Sequence, residues 1–256
     1  MLHARHAPAW RKLTMIRWLC SGLTAAGMAV CLPTARAQEA GEDEEVPFHG
    51  PDVHPGYPDA FLVSYTLRKN TVSPDGKYGV IFPDRTRMDD ATDFLVVVKE
   101  SRILGVIEFG SEDTYFVGKN HGGLNVYWAP NSSAVLVVSE GKWTPRELML
   151  IELKDGRIVR QTPLFAPWEK AIHAAAPKAA ELGRAMVELD LNGVSWKMEK
   201  SLLLQLKCDV STNPKGFSDQ SSWSGSVVGA WDIARHEFTQ VKVKQTSFSK
   251  GGKGER

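Results

Sequence analysis

The sequence predicts a mainly β fold, antiparallel four-stranded sheets with one inserted helical segment, on three observations. First, the turn Ser73-Pro74-Asp75-Gly76-Lys77 runs into the apolar Tyr78-Gly79-Val80-Ile81-Phe82, and a degraded echo, Ala129-Pro130-Asn131-Ser132-Ser133 before Ala134-Val135-Leu136-Val137-Val138, follows about 56 positions later. A turn-and-strand unit met twice at fixed spacing marks a repeated sheet module. Second, each copy carries another apolar run opened by an acidic residue, Asp93-Phe94-Leu95-Val96-Val97-Val98 and Glu147-Leu148-Met149-Leu150-Ile151. Third, the stretch from Pro167 to Gly183 breaks the pattern with helix formers.

In chain order, residues 1–37 read as a secretory signal. They hold five basic and no acidic side chains, an apolar run from Trp18 to Leu32, and Ala35-Arg36-Ala37 as an A-x-A cleavage site. Met15 is a more usual start than Met1, and Cys31, preceded by Val30, fits a lipidation signal poorly. The apolar run is too short to span a membrane comfortably. Export implies an oxidising destination, but only Cys208 survives cleavage, so no intrachain disulfide forms, and Cys208 in an alternating strand reads as a buried small hydrophobe. Taking five basic residues from 31 leaves 26 against 30 acidic, a formal charge near −4, which argues against a nucleic-acid binder.

Residues 38–59 are acidic and Pro-rich and read as a flexible leader. His49, Asp52 and His54 lie there, but their spacing fits no metal site, so neither a metal nor a cofactor is expected. The single β-rich domain then covers 60–248. Its first copy, 64–109, takes a strand from Ser64 to Val72, the proline turn, the two apolar strands, and a second turn at Lys99-Glu100-Ser101-Arg102 before a short strand from Ile103. The second copy, 124–161, repeats this order, with Lys154-Asp155-Gly156-Arg157 as its second turn. In the turn Ser73 to Lys77, proline fixes its own φ, aspartate can cap the turn through its carboxylate, and glycine accepts the positive φ that a bulkier residue resists.

The order of four strands, S-P-D-G-K between the first two and a D-G-R type turn between the last two, resembles one blade of a TolB-type, WD-like β-propeller repeat. The resemblance implies a fold and no activity.

Between the copies, Asn120-His121-Gly122-Gly123 has the form of an oxyanion-hole loop, but no G-x-S-x-G elbow accompanies it; a glycine turn opening the strand at Leu124 accounts for it. The helical segment, 167–183, has proline suited to a first turn and glycine to a stop, with Pro177 expected to kink it. It reads as a plug, a contact surface or, preferred here, a cap over an exposed strand edge. A third, eroded copy, 186–243, places Ser195 to Leu204 in register with the opening unit at an offset of about 122, ends in strands from Trp223 to Ile233 and Phe238 to Val243, and leaves 249–256 as a disordered tail. Three units do not readily close a ring, which leaves an open fan capped by the helix, a ring shared by a homodimer, or sandwich-like packing.

No catalytic, cofactor or metal residues are assigned. The function expected is an exported, non-catalytic binding or scaffold module of the bacterial envelope, without a membrane span, presenting a protein or small-ligand surface with exposed aromatics such as Trp143 or Trp223. The alternative is an envelope hydrolase assembled from His49, His54, His121, His173 and His236 with Asp52 or Asp113.

Overall fold

The computed structural model describes residues 45–48, 65–83, 93–109, 123–140, 145–176, 188–211 and 222–249. The chain is mainly β. Its strands are β1 (Glu45–Phe48), β2 (Tyr65–Val72), β3 (Tyr78–Pro83), β4 (Phe94–Val97), β5 (Arg102–Val106), β6 (Gly123–Trp128), β7 (Ala134–Glu140), β8 (Pro145–Lys154), β9 (Arg157–Pro163), β10 (Glu188–Met198), β11 (Leu202–Ser211), β12 (Ser222–Asp232) and β13 (Glu237–Ser249). One helix, α1 (Phe165–Ala175), lies between β9 and β10. The strands form three antiparallel meanders: β1–β5 is sheet 1, β6–β9 sheet 2 and β10–β13 sheet 3.

Two apolar layers join the sheets. Tyr78, Val80, Phe82, Leu95 and Val97 of sheet 1 pack with Val135, Val137, Met149 and Ile151 of sheet 2. The alternate residues of β7 and β8, Ala134, Leu136, Val138, Leu148 and Leu150, pack with α1 and with Val194, Trp196, Leu204, Leu206 and Trp231 of sheet 3. This is why β7 reads as a continuous apolar run: both of its faces are covered. Burial of each such Val, Leu, Ile, Phe or Met side chain contributes about 1.5–3 kcal/mol. The other face of sheet 1 carries Tyr65, Ile81, Phe94, Val96 and Ile103, also buried.

Sheet 3 is one-sided. Its strands are long and carry register shifts at Leu191/Gly193, Ser224/Gly225 and Val228/Ala230, irregularities that bend and twist a sheet. The apolar side of the sheet lies against α1, whose Trp168 is fully buried and packs against Phe238 of β13 with ring centroids 4.5 Å apart and planes tilted by 36°.

Four expectations are corrected. Within the expected leader, Glu45–Phe48 forms a strand paired with β2, Glu45 opposite Arg68 and Phe48 opposite Tyr65; Pro47 is tolerated because β1 is an edge strand. The helix begins at Phe165, two residues before Pro167, with no side-chain cap from Leu164; residues 177–183 lie outside the described residues. The third copy is out of the expected register: Ser195 to Met198 belong to β10, and the turn shrinks to Glu199-Lys200-Ser201. Without proline or glycine to stop it, the alternation of core-facing Val194 and Trp196 with Ser195 and Lys197 extends the strand. Finally, β13 continues to Ser249, where Phe248 opposite Trp223 supplies an apolar anchor beyond Val243.

Candidate functional site

The meander places every short described turn, β2–β3, β4–β5, β6–β7, β8–β9, β10–β11 and β12–β13, at one end of the sheets. The two proline turns are built alike. Gly76 N–H donates to Ser73 O (2.8 Å) and Ser132 N–H to Ala129 O (2.9 Å); Ser73 N–H reaches Tyr78 O and Ala129 N–H reaches Ala134 O, both at 2.8 Å. Lys77 N–H donates to Asp75 Oδ1 (3.0 Å) as Ser133 N–H does to Asn131 Oδ1 (3.1 Å). Ser132, at φ +57°, occupies the left-handed position that Gly76 holds at +69°. The two turns touch, Asp75 N–H donating to Ser132 Oγ at 3.3 Å. Burial works to raise the Asp75 carboxyl, but the Ser73 hydroxyl, the Lys77 amide and the Ser132 hydroxyl outweigh it and hold the group below the usual range.

Two tryptophans repeat a second device. The indole N–H of Trp128, at the end of β6, donates to Thr71 O of β2 (2.8 Å), and that of Trp196, near the end of β10, donates to Tyr127 O of β6 (3.2 Å). The first strand of each later sheet is thus fastened to the penultimate carbonyl of a strand in the sheet before it, β2 in sheet 1 and β6 in sheet 2. Trp128 also stacks on Tyr78, centroids 6.2 Å apart and planes 18° apart.

The described titratable cluster that bridges two sheets lies at the same end. Glu152 of β8 and His236 of the β12–β13 turn face each other with Oε1 3.6 Å from Nδ1, and Arg160 of β9 stands 3.9 Å from the same oxygen. Both Glu152 Oε1 and His236 Nδ1 are buried atoms without a hydrogen-bond partner. Burial pushes the Glu152 carboxyl up, while His236 and Arg160 pull it back toward its ordinary value. His236 is held at φ +55° by Asp232, whose main-chain oxygen accepts from His236 N–H at 2.8 Å and whose Oδ1 accepts from Ala234 N–H at 2.9 Å. Among the described residues, no hydroxyl or thiol donates to Glu152 Oε1 or meets His236 Nδ1. The arrangement brings a side chain of sheet 2 and one of sheet 3 into contact.

Of the histidines weighed from sequence, His236 therefore meets Glu152, a residue the sequence did not single out. His173 lies on α1, where its Nε2 is buried without a hydrogen-bond partner. Among the described residues no three His, Cys, Asp or Glu side chains group as metal ligands. His49, Asp52, His54, Asp113, His121 and Trp143 lie outside the described residues, as do residues 1–37 with Cys31. Gly123 opens β6 opposite Glu140. Cys208 is fully buried in the layer against α1, and that burial pushes its thiol up to about 12, the Trp168 indole working the other way. Trp223 corrects an expectation: it is 1% exposed, not a surface aromatic, because alternation in β12 turns it to the apolar side with Val227 and Trp231. Among the described residues, no helix is long and apolar enough to cross a membrane.

No protein-family description, curated protein or solved structure matches the chain.

Proposed function

We propose that the chain is an exported, non-catalytic β-repeat module that binds a protein or small ligand, or serves as a scaffold, in the bacterial envelope, its sheets being blades of the TolB-type, WD-like kind. The observation that carries this reading is the outer face of sheet 3. Cross-strand registers there align Asp190, Asp209, Ser226 and Lys244 in one row and Gly193, Lys207, Val228 and Lys242 in the next. Ser195, Gln205, Ala230 and Thr239 form a third. Four long paired strands hold the exposed Asp190, Lys207, Asp209, Lys242 and Lys244 at fixed spacing, the property a recognition surface requires. The signal-like segment 1–37 supports export, with cleavage near Ala37 and a periplasmic or secreted destination.

The test is site-specific photo-crosslinking from Val228, in the middle of the outer rows, in cells expressing the protein with its own leader. A discrete adduct that is lost when Lys207 and Lys242 are both changed to Glu supports a binding face. No adduct at Val228, together with hydrolysis of an ester or peptide library abolished by His236→Asn, overturns the non-catalytic reading. The polar rows also argue against a homodimer sharing one ring, since such a ring would bury them; light scattering on the eluting protein distinguishes monomer from dimer.

A further inference from the structure

We propose that Asn192–Gly193, beside Asp209 on the outer face of sheet 3, is a site of spontaneous deamidation and that Asp209 guards it. The inference is independent of the binding role proposed above. Asn-Gly ordinarily supplies the two central residues of a tight hairpin turn. Here the pair lies within β10, at the register shift between Leu191 and Gly193. Leu191 is opposite Cys208 and Gly193 opposite Lys207, so the ladder with β11 skips Asn192. The residue that a bulge adds is left unpaired. Asn192 is exposed, as are Asp190, Lys207 and Asp209. Its side-chain amide donates from Nδ2 to Asp209 Oδ2 at 2.8 Å.

In the reaction the main-chain nitrogen of Gly193 attacks Cγ of Asn192. The new N–Cγ bond closes a five-membered succinimide, the Cγ–Nδ2 bond breaks, and the proton lost from the Gly193 N–H leaves with the amide as ammonia. Water then opens the ring. Addition at Cγ leaves aspartate in an ordinary main chain; addition at the main-chain carbonyl leaves isoaspartate, with the chain running through Cβ and Cγ. No oxidation or reduction takes place.

Three features favour closure at this position. Gly193 has no Cβ to obstruct the approach of its nitrogen; the other described asparagines, Asn70, Asn125 and Asn131, are followed by Thr71, Val126 and Ser132. The ladder does not fix Asn192 as it fixes its neighbours. Exposure supplies the water that opens the ring. Asp209 works the other way. Cγ reaches the Gly193 nitrogen only after the amide turns out of the Asp209 hydrogen bond, and the carboxylate charge disfavours the anionic nitrogen that attacks. Conversion to aspartate replaces this donor with a third carboxylate beside Asp190 and Asp209, which already stand opposite each other across β10 and β11.

The test is incubation of the full chain at pH 8 and 37 °C, with aspartate and isoaspartate at each asparagine read over time by peptide mass spectrometry. In the native protein, Asn192 should convert about fivefold or more faster than Asn131. Asp209→Ala should raise the Asn192 rate about three- to tenfold, the gain from losing one hydrogen bond of ordinary net strength, and leave the Asn131 rate unchanged. Gly193→Ala should slow it about tenfold; the Cβ it adds meets Lys207 Cβ at 3.3 Å, a contact a small shift relieves. Circular dichroism confirms that each variant is folded, and Asp209→Asn, which keeps an acceptor and loses the charge, replaces Asp209→Ala if that chain does not fold. Asn192 left intact in the native protein, while the urea-unfolded chain converts, overturns the site. A folded Asp209 variant with an unchanged or slower rate overturns the guard.

Discussion

Replacing Gly229 with alanine tests whether α1 is seated as tightly against sheet 3 as the geometry implies. A Cβ built at Gly229 falls on the Cζ3 and Cη2 edge of the Trp168 ring, closer than real carbon atoms approach, and 3.2 Å from Val241 Cγ2. The indole has nowhere to retreat: it is fully buried, Phe238 lies 4.5 Å away, and Phe238 is itself wedged edge-on against Trp231 at 5.1 Å. The added methyl must push the helix or β12, and overpacking of this kind costs about 1–3 kcal/mol. The restriction of the unfolded chain by alanine returns only about 0.4–1 kcal/mol. A net loss of about 1–2 kcal/mol is roughly 2–8 °C in Tm for a domain of this size. Gly105→Ala is the internal comparison, because its Cβ meets only Ile158 Cδ1, the tip of a flexible side chain, at 2.9 Å. Scanning calorimetry on both variants, repeated in a Trp168→Leu background, separates the ring from the backbone. The Gly229 penalty should largely vanish once the ring is gone. A Gly229→Ala protein with unchanged Tm, or one equally destabilised without the indole, would refute this account of the helix seat.

Two further outcomes follow from the same geometry. Trp128→Phe keeps the ring stacked on Tyr78 but leaves Thr71 O without its indole donor, so stability in a urea titration should fall by about 1–2 kcal/mol; a change below about 0.3 kcal/mol would show the indole bond to be incidental. Cys208, fully buried with its thiol pushed up to about 12, should resist a thiol reagent at pH 8 in the native protein and react only at the rate of unfolding; rapid stoichiometric labelling without denaturant would place the residue elsewhere.

The features legible in the sequence are those encoded locally. The turn at Ser73 to Lys77 and its echo at Ala129 to Ser133 carry their own hydrogen-bond chemistry, so a change from Gly76 to Ser132 did not hide the repeat. The runs in β3 and β7 announced burial on both faces through composition alone. The third sheet was harder because its first turn lost the residues that punctuate a chain, and alternation then ran on through Trp196. The strand at Glu45–Phe48 was masked by its acidic, proline-containing surroundings; what makes it a strand is the free edge of β2, a partner twenty residues away in sequence. The Glu152–His236 pair was invisible for the same reason. Its members lie 84 positions apart, each in an unremarkable local context, a strand end and a hairpin turn, and only the stacking of sheet 3 on sheet 2 makes them neighbours. Trp128 and Trp196 did repeat in the sequence, but 68 positions apart rather than 56, because the inserted helix lengthens the second interval.

The distribution of apolar faces explains why the stack has a direction and an end. The residues of β3 that face sheet 2, Tyr78, Val80 and Phe82, correspond at the repeat spacing to Ala134, Leu136 and Val138, which face sheet 3. Each of the first two sheets therefore presents an apolar face to the next one along the chain. Sheet 3 receives the face of sheet 2 and α1 together, and among the described residues Asp190, Lys207, Asp209, Lys242 and Lys244 stand exposed on its far side. Burying those charges against another sheet would cost several kcal/mol for each ion left unpaired. Packing of a further apolar sheet against this face is thus opposed by desolvation. The same exposed charges mean that a partner using this face must meet it through hydrogen bonds and paired charges.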